Sequence, residues 1–240
     1  MKEYFEKIYS KTKNEFNTLL EEKITKNEKT FIVTANPETL MIAEENSDFK
    51  KCLLDEKTTI VPDGVGVVKG AKMLGLEMPE TIPGVELCSK IFEVCNKQKK
   101  SVYFLGAKKE VLDLLIEKVK KDYPDLVIAG YENGYVEDKE KAYEEIKKVK
   151  PDVVLVAIGI PYQELLIYKN LNDFDKGIFM GVGGSFDVLS GFKKRAPKIF
   201  IKLKLEWLYR ITTEPKRLKR FFKSNVKYLF IIRKEKKEKK

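Results

Sequence analysis

The sequence predicts an α/β protein: a mostly parallel β-sheet flanked by helices, followed by a basic helical appendage. Three observations carry this. Short β-branched and aromatic runs alternate with longer amphipathic stretches, the pattern of βαβ units. The short runs are apolar at consecutive positions, as strands are when helices cover both faces of their sheet. The strand pattern stops near Gly191, and the remaining chain is basic and helical. With 240 residues, 43% hydrophobic and 35% charged, the chain can bury one core of ordinary size and carry an appendage. The expected division is residues 1–192 for the sheet domain and 193–240 for the appendage.

In order, the strand candidates are Thr30–Ala35, Thr58–Pro62, Ser101–Gly106, Leu126–Gly130, Val153–Ile158 and Gly177–Val182. Between them lie amphipathic stretches such as Gly84–Asn96, Lys109–Asp122 and Lys139–Lys148. Several strands run straight into Gly or Asp: Pro62-Asp63-Gly64, Gly106, Gly159 and Gly181-Val182-Gly183-Gly184. Open α/β sheets place ligands at the carboxyl ends of their strands, so these turns should assemble the site. After them, Arg195–Ile232 reads as two helices divided near Thr213-Glu214-Pro215, with Pro215 suited to a first helical turn.

Charge separates the two parts. Residues 193–240 hold 19 Lys and Arg against four acids, a net +15, which leaves −5 on the first 192 of a chain whose total is +10. Trp207, Leu208, Ile211, Leu218, Phe221, Phe222, Leu229 and Phe230 interleave with these basic residues. A basic helical segment with aromatics suits an anionic surface, phospholipid or nucleic acid, and resembles an interfacial membrane anchor. The competing reading is a core-packing helix with a solvated basic face. No apolar run approaches the roughly 20 residues of a membrane span, and no charged-then-apolar leader is seen. Cys52, Cys88 and Cys95 are odd in number without CxxC spacing, which fits buried thiols in a reducing, cytoplasmic compartment.

Histidine is absent, which removes His-based metal sites, Ser-His-Asp triads and imidazole bases. Dinucleotide binding is disfavoured, because Gly64-Val65-Gly66 meets Lys69, and Gly181-Val182-Gly183 meets Phe186, where a third glycine belongs. Their amides remain suited to a diphosphate at a helix start. Asp63 is the sharper clue, since a carboxylate ending a buried apolar strand is costly without purpose; its plain alternative is a helix N-cap. Asp187 has the same alternative. Glu164, at a helix start, reads simply as a complement to the helix dipole.

Taken in order, the motifs resemble a known family. They are Thr34-Ala35-Asn36-Pro37-Glu38, Pro62-Asp63-Gly64-Val65-Gly66-Val67-Val68, Tyr103-Phe104-Leu105-Gly106, Asn133-Gly134-Tyr135 and Gly159-Ile160-Pro161-Tyr162-Gln163-Glu164. Gly181-Val182-Gly183-Gly184-Ser185-Phe186-Asp187, Gly191, Arg195-Ala196-Pro197, Glu206-Trp207-Leu208-Tyr209-Arg210 and Glu214-Pro215-Lys216-Arg217 complete the series. Over about Thr34 to Arg220 the chain resembles the WecG/TagA/CpsF family of bacterial glycosyltransferases.

The resemblance implies a Rossmann-like domain whose C-terminal appendage docks on the membrane and completes the site, without a metal or other cofactor. TagA-like members transfer N-acetylmannosamine from UDP-N-acetylmannosamine to N-acetylglucosamine on undecaprenyl diphosphate, with inversion, in wall teichoic acid synthesis. WecG-like members use the mannosaminuronic acid donor for another surface polysaccharide. By motif position the catalytic base falls on Asp63. The substrate pocket falls on Thr34, Asn36 and Gln163 with the Gly183-Gly184 turn, and the diphosphate clamp on Arg210, Arg217 and Arg220. Chemistry agrees: without histidine a carboxylate is the natural base, and without a metal the arginine fork suits phosphate oxygens. Arg217 and Arg220, three apart, share a helix face. Asp173-Phe174-Asp175 precedes a strand and reads as a surface turn rather than a metal motif. Tyr162, Leu166, Thr81 and Asn133 depart from the family's pattern, outside the proposed base and clamp, where they bear on sugar preference. The expected partners are a UDP-sugar, a lipid-diphosphate acceptor and an anionic membrane surface, with no nucleic acid; a homo-oligomer is compatible. A non-catalytic module binding an anionic surface or nucleic acid is the rival from another class.

Overall fold

A computed structural model of the chain describes residues 1–136, 139–214 and 216–238; the side chains of Lys139, Lys216, Arg217 and Arg220 lie outside the description. The N-terminal elements are α1 (Lys2–Lys7), α2 (Lys13–Thr25), β1 (Thr30–Ala35), α3 (Pro37–Glu45), α4 (Ser47–Leu54), β2 (Thr58–Pro62) and α5 (Val65–Met73). The middle of the chain supplies α6 (Gly84–Gln98), β3 (Ser101–Gly106), α7 (Lys109–Asp122), β4 (Val127–Glu132), α8 (Lys139–Val149), β5 (Val153–Ala157), α9 (Tyr162–Asn170) and β6 (Ile178–Gly181). Four helices follow: α10 (Ser185–Leu189), α11 (Lys198–Lys202), α12 (Glu206–Thr213) and α13 (Lys216–Glu238).

The six strands form one sheet in the order β2-β1-β6-β5-β3-β4, and every pairing is parallel. Alternation along the strands divides the core into two layers. Phe31, Val33, Val154, Val156 and Phe179 face the layer that includes Leu40, Phe49 and Ile167 of α3, α4 and α9. Ile32, Val153, Leu155, Ile178 and Met180 face the layer of Phe16, Ile91 and Leu112 from α2, α6 and α7. This is the two-sided covering that the consecutive apolar runs required. Cys52, Cys88 and Cys95 are buried and free.

The expected strands all form, with ends within two residues of their sequence signal. The largest difference is at β4, which continues to Glu132 instead of stopping at Gly130, pairing Tyr131 and Glu132 with Phe104 and Leu105 after a register shift. As an edge strand β4 has little apolar surface to bury, so its polar end resembles a loop in sequence.

The appendage differs more. The first of its two expected helices is broken into α11 and α12, because Lys204 adopts a left-handed conformation, φ 59°. The second division falls where expected, between Thr213 and Lys216, although Pro215 itself lies outside the described residues. α13 crosses back onto the sheet domain. Tyr228 and Ile232 are fully buried in the core layer of Phe31 and Val33, and Lys227 pairs with Glu45 at 2.6 Å. The contact is specific: a Cβ on Gly70 of α5 would lie 2.0 Å from the Tyr228 hydroxyl, which donates to the Gly66 carbonyl at 3.1 Å. The rest of α13 leaves Leu218, Phe222, Val226, Leu229 and Phe230 exposed. No helix among the described residues is long and apolar enough to cross a membrane.

Candidate active site

The parallel register aligns the carboxyl ends of five strands along one edge, where a cleft of about 1590 Å³ opens between the sheet and the appendage. Its floor is made of the turns singled out above: Asn36 after β1, Asp63 after β2, Ala107 after β3, Gly159 after β5 and Gly183 after β6. Its far wall is α12 and the first half of α13, with Glu206, Trp207, Arg210 and Phe221 turned toward the floor. Trp207 and Phe221 stack in parallel, their ring centroids 5.0 Å apart, tying the two helices of the wall together.

Asp63 sits half-buried at the foot of this wall. Its backbone N–H donates to Ala35 O at 2.7 Å, so the residue stays in register with β1 beyond the end of β2. Gly64, at φ 104°, then turns the chain into α5. Asp63 makes no side-chain cap to that helix, so the plain N-cap reading fails. Burial pushes its carboxyl up to about 6, against the pull of the Arg210 guanidinium and a backbone hydrogen bond from Gly84; Glu206 and Glu86 push it further upward. A carboxyl with that acidity is ionised near neutral pH yet basic enough to accept a proton.

Gln163 and Glu164 open α9 and are almost wholly buried, 2% and 1% exposed. The Gln163 side-chain oxygen accepts from Gly159 N at 3.1 Å and from Gly183 N at 3.2 Å, joining the turns after β5 and β6. Its amide nitrogen donates to Glu164 Oε1 at 2.7 Å. Glu164 therefore does more than complement a helix dipole, and burial pushes its carboxyl up to about 7. Asn36 is also doubly employed: its Oδ1 caps α3 by accepting from Glu38 N and Thr39 N, and the residue lines the cleft. Thr34 lies beside it, and Gly184 ends the β6 turn as the N-cap of α10.

Arg210 donates to Glu206 one turn earlier at 2.8 Å, and both line the cleft. Arg217 and Arg220 stand on α13, but their side chains lie outside the described residues. The structure thus brings Asp63, Thr34, Asn36, Gln163, Gly183, Gly184 and Arg210 to one cleft. Sequence reasoning did not assign Glu206, whose partner Arg210 four residues on is a recognisable helical pair. It also missed the clip at Glu86, which is held by Lys13 at 2.9 Å and Arg195 at 2.6 Å. That clip fastens the start of the appendage beside α6. Asp173 pairs with Lys147 on the surface, away from the strand ends. Among the described residues no group of three or more Cys, Asp or Glu side chains is placed to hold a metal ion.

Comparison with known proteins agrees with this geometry. The family model described as "Glycosyl transferase WecG/TagA/CpsF family" matches residues 6–240. A protein of Bacillus spizizenii is 42% identical over 197 residues, covering 82% of this chain and 76% of its own length. Relatives from Bacillus subtilis and Staphylococcus aureus are 40% and 37% identical over 209 residues, covering 87% of this chain and 81% of theirs. All three carry the name N-acetylglucosaminyldiphosphoundecaprenol N-acetyl-beta-D-mannosaminyltransferase. With the family's motifs gathered at one sheet edge and its model matching nearly the whole chain, this protein belongs to the WecG/TagA/CpsF family of glycosyltransferases.

Proposed function

We propose that the protein transfers N-acetylmannosamine from UDP-N-acetylmannosamine to N-acetylglucosamine carried on undecaprenyl diphosphate, with inversion and without a metal, in wall teichoic acid linkage-unit synthesis. The observation that carries this reading is Asp63: a carboxyl raised to about 6 at the floor of the cleft, faced by an arginine from the appendage. In the transfer, Asp63 takes the proton from the attacking acceptor hydroxyl as its oxygen bonds to the sugar's anomeric carbon. The bond from that carbon to the diphosphate breaks on the opposite face, and UDP leaves with the electron pair. Arg210 offsets the charge that grows on the departing diphosphate, and Arg217 and Arg220 are assigned the same task. Asn36 orients the sugars through its side-chain amide hydrogens, and Gln163 through the one amide hydrogen not donated to Glu164.

The acceptor cannot leave a bilayer, so the site must come to it. Exposed Ile199, Leu203, Leu208, Phe222 and Phe230, set among the lysines of the appendage, suit an interfacial seat on the inner face of the cell membrane. The test is release of UDP from UDP-N-acetylmannosamine with a lipid-diphosphate N-acetylglucosamine acceptor in anionic vesicles. Acceptor-dependent turnover that collapses in Asp63→Asn, while UDP binding survives, supports the reading. Turnover with the mannosaminuronic acid donor alone would keep the mechanism and change the pathway. Silence with every UDP-sugar would overturn it.

A further inference from the structure

We propose that Glu164 is a positioning residue for the sugar-nucleotide site: by fixing the Gln163 amide in one orientation, it keeps the turns after β5 and β6 joined as the floor on which the donor sits. This rests on the transferase reading above. The argument begins with the amide itself. Its oxygen faces two backbone N–H donors, Gly159 and Gly183, and its nitrogen faces the Glu164 carboxyl. The flipped amide would set a nitrogen against two N–H groups and an oxygen against a carboxyl oxygen, losing all three bonds. The Glu164 carboxyl thus adds to the two backbone donors in deciding which atoms Gln163 presents. Without Glu164 the amide nitrogen would lose its buried acceptor, and the two orientations would differ by less.

The pair is wedged rather than loosely packed. A Cβ on Gly181 of β6 would lie 2.7 Å from Glu164 Oε1 and 2.8 Å from Gln163 Nε2, so only glycine there leaves the pair its space. Among the described residues no cation stands beside Glu164. Its Oε2 is buried with no hydrogen-bond partner among the described residues. The titratable group facing it from α4 is the Cys52 thiol, which burial and the Glu164 charge push upward and which therefore stays neutral. An apolar side chain of the same length would fill the space without burying an unsatisfied oxygen. What an apolar side chain cannot do is accept from Gln163.

The experiment is a double-mutant cycle on the full chain, read by steady-state kinetics and by calorimetric binding of UDP. Glu164→Met should raise KM for the sugar nucleotide and the Kd for UDP about tenfold, the scale of one buried hydrogen bond, with a smaller change in kcat. Glu164→Gln, which keeps an acceptor for Gln163, should stay within about threefold of wild type. In a Gln163→Ala background, Glu164→Met should cost nothing further. Equal losses with and without Gln163, or a fall in melting temperature with KM and UDP affinity unchanged, would overturn the proposal and leave Glu164 as a packing residue. Should Glu164→Met not fold, Gly181→Ala presses on the same pair from the sheet and must show the same dependence on Gln163. Absence of turnover in the wild type would count against the transferase reading instead.

Discussion

The two walls of the cleft are built on opposite physical terms. The floor hangs from the sheet: Asp63 is held by a backbone bond to β1, and Gln163 is buried and triply bonded. The appendage wall has little of this. Ile211 is the buried residue of α12, α11 has none, and the Arg210 side chain is 42% exposed with Glu206 as its partner. Proton transfer needs a base fixed to within a fraction of an ångström, which a sheet edge provides. A counter-charge for a diphosphate on a lipid needs reach more than precision. Regions with few buried contacts open most easily, so the wall that the proposed function assigns to the membrane is also the one with the fewest contacts to hold it fixed.

The largest expected effect lies on the floor. Asp63→Asn should lower kcat by about a thousandfold, the scale of a lost general base, while UDP affinity stays unchanged; a loss below tenfold would move the base elsewhere. The same variant should be the more stable protein at neutral pH. A carboxyl raised in the folded state favours folding fully below its unfolded value and loses that contribution as pH rises through about 6. Thermal melts should therefore show the variant above wild type at pH 7.5, with the gap closing toward pH 4. The next effect tests where the floor ends. Tyr228→Ala on α13 should cost about 3 kcal/mol through cavity formation, read as a lower melting temperature. Phe230→Ser, at a position 68% exposed, should leave the melt unchanged and loosen association with anionic vesicles several-fold. Equal melts for both would mean that α13 contributes nothing to the core.

These contrasts also mark what the sequence could disclose. Five of the six strands were legible because strands covered on both faces read as continuous apolar runs, the edge strand β4 only as far as Gly130, and Asp63 because it ends one of those runs. The return of α13 to the core was legible only as the competing reading, a core-packing helix with a solvated basic face, and the residues that make it were silent. Tyr228 and Ile232 sit in a Lys-rich stretch that resembles a surface anchor, and the Tyr228 hydroxyl is received by Gly66 and Gly70, of which Gly66 reads as part of a phosphate-binding turn. The break at Lys204 was equally silent, since a lysine gives no sign of left-handed backbone. Glu164 read as a dipole partner because its burial depends on Gly181, seventeen positions away. What a neighbouring residue decides can be read along the chain; what a distant glycine permits cannot.

A smaller effect should follow from Arg210→Ala. With the diphosphate losing one cation, kcat/KM should fall about thirtyfold. The pH profile adds a sharper sign. Arg210 pulls the Asp63 carboxyl down, so without it the acid limb of kcat/KM should move above its wild-type position near pH 6.

Glu206→Gln is the smallest perturbation and the one that decides whether the wall acts on the floor at all. Glu206 pushes the Asp63 carboxyl up, so its neutralisation should move the acid limb down, opposite to Arg210→Ala, although both changes remove a charge from one helix. It should also release Arg210 from its 2.8 Å partner and lower KM for the sugar nucleotide a few-fold, because the carboxylate and the diphosphate compete for the same guanidinium. An exposed i, i+4 pair is worth only about 0.3–0.5 kcal/mol, so the gain in KM must be slight. The limb shift is the firmer reading. Opposite shifts from two residues one turn apart require α12 to lie over Asp63 in the working enzyme, whereas shifts of one sign would mean that the appendage stands elsewhere during turnover.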